Sequence, residues 1–170
     1  ELTRRIILPE EISKAHDEGA IHFHDADYFI QPIFNCCLIN IGDMLDNGTV
    51  MNGKLIESPK SFQVACTVMT QIIASVASSQ YGGQSVDIRH LGKYLRRSYN
   101  KFKKAVLDEV GDSLPAETVE RLVQARLKSE LQSGVQTIQY QITTLMTTNG
   151  QSPFVTIFLN LQEDDEYLKE

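Results

Sequence analysis

The hydrophobic positions of this chain form two short apolar runs, separated by long stretches at helical spacing. The first run, Phe34-Asn35-Cys36-Cys37-Leu38-Ile39-Asn40-Ile41-Gly42-Asp43, follows Pro32 and stops at a Gly42, Asn47 and Gly48 turn cluster, which predicts a strand buried on both faces. Upstream, 8–19 reads as a short amphipathic helix, with Pro9 ahead of Glu10 and Glu11 in the first turn and Gly19 after the last. Between the two, His22 and His24 alternate with Ile21 and Phe23, so an extended segment would put both imidazoles on one face. Downstream, 46–53 is a polar loop, and Ser58 and Pro59 supply the N-cap and first position of a helix running to about Gln80 along Phe62, Ala65, Met69, Ile72 and Val76. Tyr81-Gly82-Gly83 stops it. A second helix over 87–111 carries Ile88, Leu91, Leu95, Phe102 and Val106 on one stripe, and a third over 117–146 carries Val119, Leu122, Leu131, Val135, Ile138, Ile142 and Leu145. After a turn at 148–153 comes the second apolar run, 154–159. The predicted order is strand, three helices, strand: an α/β layout whose two strands need further partners from a longer protein.

Charge changes the picture in two places. No Asp, Glu, Lys or Arg occurs between Ser61 and Val86, yet Gln63, Thr67, Thr70, Gln71, Ser75, Ser78 and Ser79 make the stretch too polar for a membrane span. It fits a core helix, or one packed on two sides against its own core and a second subunit. The next helix carries Arg89, Lys93, Arg96, Arg97, Lys101, Lys103 and Lys104 with no acid between them, in a chain of net charge −6. Unbroken positive charge fits a polyanion such as a nucleoside triphosphate, an acidic partner, or a plainly solvated face. The third helix turns polar without charge at Gln132, Gln136, Gln139, Gln141, Thr143 and Thr144, as a buried or cavity-lining helix does.

Composition sets the outer limits. A chain of 170 residues with 42% hydrophobic content can build one cored domain, and its sequence pI near 5.2 argues against wholesale nucleic-acid binding. Three cysteines without C-x-x-C spacing suit a reducing cytoplasm, and no signal peptide or membrane run is present in the sequence. The chain begins at Glu1 and closes in a charged 163–170 stretch, from which we expect a piece of a longer protein. In a strand Cys36 and Cys37 point to opposite faces, so one can look into a site while the other packs; Cys66, in mid-helix, reads as a small buried residue. His22, His24 and Asp25 have spacing that can hold a metal or place general acids, although Asp25 can equally cap a turn. With no further His motif at ligand spacing, a metal hydrolase is the weakest reading and no metal is expected here.

Five segments follow one another along the chain: Ile21-His22-Phe23-His24-Asp25, Asn35-Cys36-Cys37-Leu38, Ile56-Glu57-Ser58-Pro59-Lys60-Ser61, Ala77-Ser78-Ser79-Gln80-Tyr81-Gly82-Gly83 and Thr147-Thr148-Asn149-Gly150-Gln151-Ser152-Pro153-Phe154-Val155. In this order they resemble the N-terminal catalytic region of anaerobic (class III) ribonucleoside-triphosphate reductases. The resemblance implies part of a ten-stranded α/β barrel of the glycyl-radical type, mainly helical here with two buried strands. The first barrel strand would be about 34–41, the dimer and effector helices about 59–147, and the second strand about 154–161. It implies a homodimer, a radical-SAM activating enzyme, a ribonucleoside triphosphate substrate, and formate or a thiol protein as reductant. The glycyl radical and a zinc site would lie in other parts of the enzyme. The C-x-L-I-x-x-G-D pattern implies that Cys36 is the second catalytic cysteine and that Cys37 packs behind the strand. His22 and His24 would help position the reductant. Glu57, Lys60 and Lys103 match positions of a site for dNTP or ATP effectors. The piece alone would be inactive. The rivals are a non-catalytic nucleotide-binding dimerisation module, for which Cys36 is dispensable, and a glycyl-radical lyase, which the Glu57-Ser58-Pro59-Lys60 and Tyr81-Gly82-Gly83 segments fit less well.

Overall fold

The computed structural model describes residues 3–24, 26, 29, 34–79, 81–146 and 152–159. Asp25, Pro32, Gln80, residues 148–151 of the turn expected at 148–153 and the end of the second expected strand at 160–161 lie outside them. The chain divides within its first strand into two units, Glu1–Asn35 and Cys36–Glu170, each described by itself.

In the first unit a short π-helical turn, Thr3–Ile7, precedes helix α1, Glu10–Asp17. Pro9 occupies the N-cap position, and its carbonyl accepts from the Ile12 and Ser13 amides at 3.0 and 3.1 Å. Glu10 and Glu11 meet the positive end of the helix, with Lys14 and His16 in its last turn. Gly19 takes φ +76° just past the end and donates to the His16 carbonyl at 3.1 Å, so the helix stops where glycine permits a left-handed residue. Arg4 pairs with Asp17 at 2.6 Å, tying the π-helical turn to the end of α1.

The second unit is mostly helical around a small sheet. Strand β1, Phe34–Leu38, leads into the short helix α2, Ile41–Asp46. Strands β2, Thr49–Met51, and β3, Lys54–Ile56, form an antiparallel hairpin. Helix α3, Phe62–Ser79, is followed by strand β4, Tyr81–Asp87. A 3₁₀ turn, Ile88–Leu91, leads to helix α4, Gly92–Val110, and then come helix α5, Ala116–Thr144, and strand β5, Phe154–Phe158. The three-stranded sheet has the order β1-β4-β5. β5 runs parallel to β4 after a crossover through α4 and α5, as parallel pairing requires.

The core gathers Ile41 and Leu45 of α2, Phe62, Ala65, Cys66, Met69, Ile72 and Ile73 of α3, Val86 of β4, Tyr94 and Leu95 of α4, and Leu127 of α5. α3 is long and apolar enough by composition to cross a membrane, but its apolar stripe is packed into this core. Helices α3 and α5 touch closely at Gly134, where a Cβ would stand 2.4 Å from the Phe62 ring and 3.0 Å from Cys66 Sγ.

Four expectations are corrected. The segment Tyr81-Gly82-Gly83 does not merely end a helix; it opens the central strand. Its glycines offer no apolar pattern, and among its described side chains only Gln84 and Val86 are fully buried, so backbone pairing to both neighbours makes the strand. The 46–53 loop holds β2 and half of a hairpin whose turn, Asn52-Gly53, has φ 51° and 74°, the paired positive values of a type I′ turn. α3 begins at Phe62, not Pro59, because its first amides are satisfied from elsewhere in the fold, as described below. The two expected strands are not buried on both faces: Phe34, Leu38, Phe154, Ile157 and Phe158 are exposed, since β1 and β5 are the sheet edges and nothing in the described chain covers their outer faces.

Candidate functional site

The thiols differ in setting because of the strand and helix that carry them. Side chains alternate along β1, so Cys36 is exposed while Cys37 is half-buried and packs against the core. Cys66 is sealed inside α3; burial pushes its thiol up to about 12, and the nearby Glu130 charge adds to this. It therefore stays protonated and serves as packing. Gly42, in the Gly42-Asp43 step after β1, lies against the His90 ring, where a Cβ would be 2.7 Å from Nδ1. The glycine lets α2 close onto the turn that follows β4.

Within the first unit His22 Nε2 and His24 Nδ1 are 3.2 Å apart, so one ring donates and the other accepts. His16 lies 5.6 Å from the His22 ring, centroid to centroid, and its Nδ1 accepts the Phe23 amide at 3.0 Å. The alternation in sequence does bring the two imidazoles together. Among the described residues no group of three metal-ligating side chains converges.

The basic helix is less free than its sequence suggests. Arg89 pairs with Asp87 at 3.1 Å, Lys93 pairs with Asp46, and the Arg97 guanidinium donates to the Pro59 carbonyl at 2.7 Å and to Ser58 Oγ at 3.1 Å. Tyr94, fully buried, donates its hydroxyl to Asp46 Oδ1 at 3.0 Å, and Arg97 lies 4.8 Å from the centre of the same ring. The Lys93 bond, with help from Tyr94, holds the Asp46 carboxyl below its ordinary range. Burial pushes the Tyr94 hydroxyl up. Ser58 thus receives Arg97 and does not cap α3. Lys103 remains exposed, 5.8 Å from the Tyr99 ring centre, and Glu57 and Lys60 are exposed on either side of the anchored Ser58-Pro59 step.

The amides that open α3 are capped by its neighbours. Phe62 N donates to Ser98 Oγ of α4 at 2.8 Å, Gln63 N to Glu130 Oε1 of α5 at 3.0 Å, and Val64 N to Ser61 Oγ at 3.4 Å. A carboxylate at this terminus also meets the positive end of the helix dipole. Beside it lies an open cleft of about 640 Å³ lined by Ser61, Gln63, Lys101, Arg126, Glu130 and Ser133, among others. Gln63 Oε1 and Glu130 Oε2 are buried acceptors with no partner among the described residues. Arg126 is neutralised by Glu109 through bonds of 2.7 and 3.1 Å, which leaves Lys101 as the cation of the wall that has no ion pair among the described residues. The sequence reading missed the cleft. Lys101 belonged to the basic run, but Glu130 sits in an ordinary polar stretch of α5 and only packing brings it to the start of α3.

The family model described as anaerobic ribonucleoside-triphosphate reductase matches residues 1–170. The chain belongs to that family. It is 38% identical over 161 residues to the anaerobic ribonucleoside-triphosphate reductase of Salmonella typhimurium, covering 93% of this chain and 22% of the relative. It is 40% identical over 156 residues to the enzyme of the same name from Enterobacteria phage T4, covering 89% and 25%, and 38% identical over 162 residues to that of Escherichia coli, covering 93% and 22%. The chain therefore spans about a fifth to a quarter of the reductases it matches. Each of the five family-like segments includes residues outside the described set or meets the architecture above: the Cys36-Cys37 pair on β1, the Ser58-Pro59 anchor before α3, and Tyr81-Gly82-Gly83 at the head of β4.

Proposed function

We propose that this chain is the part of an anaerobic ribonucleoside-triphosphate reductase that presents the second catalytic thiol and the effector-binding helices, within a homodimeric α/β barrel enzyme. The observation that carries the reading is the family match joined to the setting of the paired cysteines: Cys36 is presented and Cys37 packs. A glycyl radical and the cysteine it oxidises, elsewhere in the enzyme, would supply hydrogen abstraction at the ribose 3′ carbon. Cys36 would act on the other face of the sugar, its thiol giving its proton to the 2′ hydroxyl as that group leaves as water, while the formate or thiol-protein reductant would supply the hydrogen and electrons that reduce the 2′ carbon. Of the three thiols Cys36 is the exposed one, while Cys37 packs against the core and Cys66 is sealed within α3, where its raised pKa makes it a poor proton donor. His22 and His24 share a hydrogen bond and are the groups we assign to reductant handling, formate or a thiol protein.

Glu57, Lys60 and Lys103 are assigned to a dNTP or ATP effector, with the α3–α4–α5 cleft as its neighbourhood. Exposed cations on α4 and cleft acceptors that have no partner among the described residues are the groups a triphosphate and a base amino group would pair with. The enzyme would require a radical-SAM activating partner and zinc bound outside this chain, would supply deoxyribonucleotides for DNA replication in the cytoplasm, and would not be active through this chain alone.

The test is radical-activated, anaerobic turnover of a ribonucleoside triphosphate by the full-length protein, wild type and Cys36→Ala. We expect turnover to be lost in the variant while dATP binding persists. Turnover that survives would remove Cys36 from the chemistry and favour the nucleotide-binding module instead.

A further inference from the structure

Both feet of the β2–β3 hairpin are held by one face of α4. At the first foot, Asp46 receives Lys93 and Tyr94; at the second, Ser58 and the Pro59 carbonyl receive Arg97. Positions 93, 94 and 97 fall within one helical turn and share a face. The Tyr94 ring joins the two feet, since its hydroxyl is bonded to Asp46 while the guanidinium bonded to Ser58 lies 4.8 Å from its centre. The ring is fully buried, so it cannot swing to follow a displaced partner. Glu57 and Lys60 flank the second foot and are exposed; Pro59 between them is buried.

We propose that Tyr94 and Arg97 are positioning residues for the 57–60 segment. They hold Glu57 and Lys60 in one arrangement relative to α4, and so set the affinity of the anionic ligand those side chains meet. The ligand assignment rests on the effector reading above; the positioning does not. A guanidinium suits the task because it donates to a hydroxyl and a carbonyl at once while lying over the ring, a fixed fork that a lysine ammonium does not offer. The same clamp links the segment to α2, the helix that directly follows the Cys36 strand.

The experiment uses the full-length protein with Arg97→Lys, Tyr94→Phe, Ser58→Ala and Ser58→Thr variants, and Lys104→Met as a control for loss of charge on α4. Amide hydrogen exchange across 56–62, dATP affinity and melting temperature are measured for each. We expect faster exchange across 56–62 in Arg97→Lys, Tyr94→Phe and Ser58→Ala, recovery in Ser58→Thr, and no change in Lys104→Met. dATP affinity should fall about tenfold in Arg97→Lys, equivalent to ~1.4 kcal/mol, with the melting temperature little changed. Unchanged exchange across 56–62 in both Arg97→Lys and Tyr94→Phe would overturn the proposal. Lys60→Met separates the two ideas: if exchange rises in the clamp variants but neither they nor Lys60→Met alter dATP affinity, the positioning stands and the effector assignment falls.

Discussion

Residue by residue, environment decides what each thiol and each glycine does. Cys36 and Cys66 have the same side chain, yet one is exposed on a strand and the other is sealed with its thiol pushed up to about 12. Alkylation with iodoacetamide at pH 8 should therefore label Cys36 first and leave Cys66 unmodified until the protein is unfolded, read by peptide mass mapping. Equal labelling of the two in the native protein would contradict the packing described for α3. Gly134 is needed for lack of space, with its would-be Cβ 2.4 Å from the Phe62 ring. Gly134→Ala should cost about 1–3 kcal/mol by denaturant unfolding, because α3 and α5 must part or Phe62 must leave its rotamer. A gain in stability there would mean that helix propensity outweighs the contact. The paired cysteines and Gly19 were legible from sequence, since strand alternation and helix termination are local rules. Gly134 was only a glycine inside a helical pattern until the facing helix was known.

At the scale of elements, the start of α3 shows tertiary structure overruling a local signal. Ser58-Pro59 is a good N-terminal signature, but Arg97 takes Ser58, while Ser98 and Glu130 from two other helices satisfy the first amides at Phe62 and Gln63. Glu130→Ala should destabilise the fold by about 1–3 kcal/mol through an unsatisfied buried amide, and Glu130→Gln by less, as measured by urea unfolding. Comparable losses in both would point to the charge and not the acceptor as the stabilising feature. The Asp46 clamp has a pH signature. Its folded pKa is depressed, chiefly by Lys93, so its contribution is present above the unfolded carboxylate value of about 3.9 and is lost as pH falls through the folded value. The partners are part-exposed, which limits the effect to under about 1 kcal/mol. Asp46→Asn should flatten the acid limb of stability against pH between about 5 and 2, measured by thermal melts; an unaltered limb would exclude the clamp as its source.

Over the whole molecule, the sheet is the incomplete part. Its order, β1-β4-β5, leaves β1 and β5 as edges carrying exposed Phe34, Leu38, Phe154 and Phe158, and such edges invite further strands. The isolated chain should accordingly raise the fluorescence of an apolar dye such as ANS, and the full-length protein should do so far less per mole; equal signals would mean that these faces stay open in the enzyme. The pattern of apolar and charged positions by itself determined the three long helices, the two apolar strands and the charge-free and basic stretches, because each depends on spacing within one segment; that the strands are edges it did not show. Five family-like segments determined the reductase membership for the same reason: they are contiguous in sequence. Only the tertiary structure decided that Tyr81-Gly82-Gly83 opens the central strand, that 46–56 holds a hairpin foot and both its strands, that Arg89, Lys93 and Arg97 of the basic run are engaged internally, and that Glu130 caps α3 beside a cleft. The Asp46, Ser58 and Glu130 contacts and the β4–β5 pairing join residues about 40 or more positions apart, and the β4 ladder is made of backbone bonds, so neither leaves a mark in local pattern; the hairpin did leave one, the Asn52-Gly53 turn, which the polar loop around it masked.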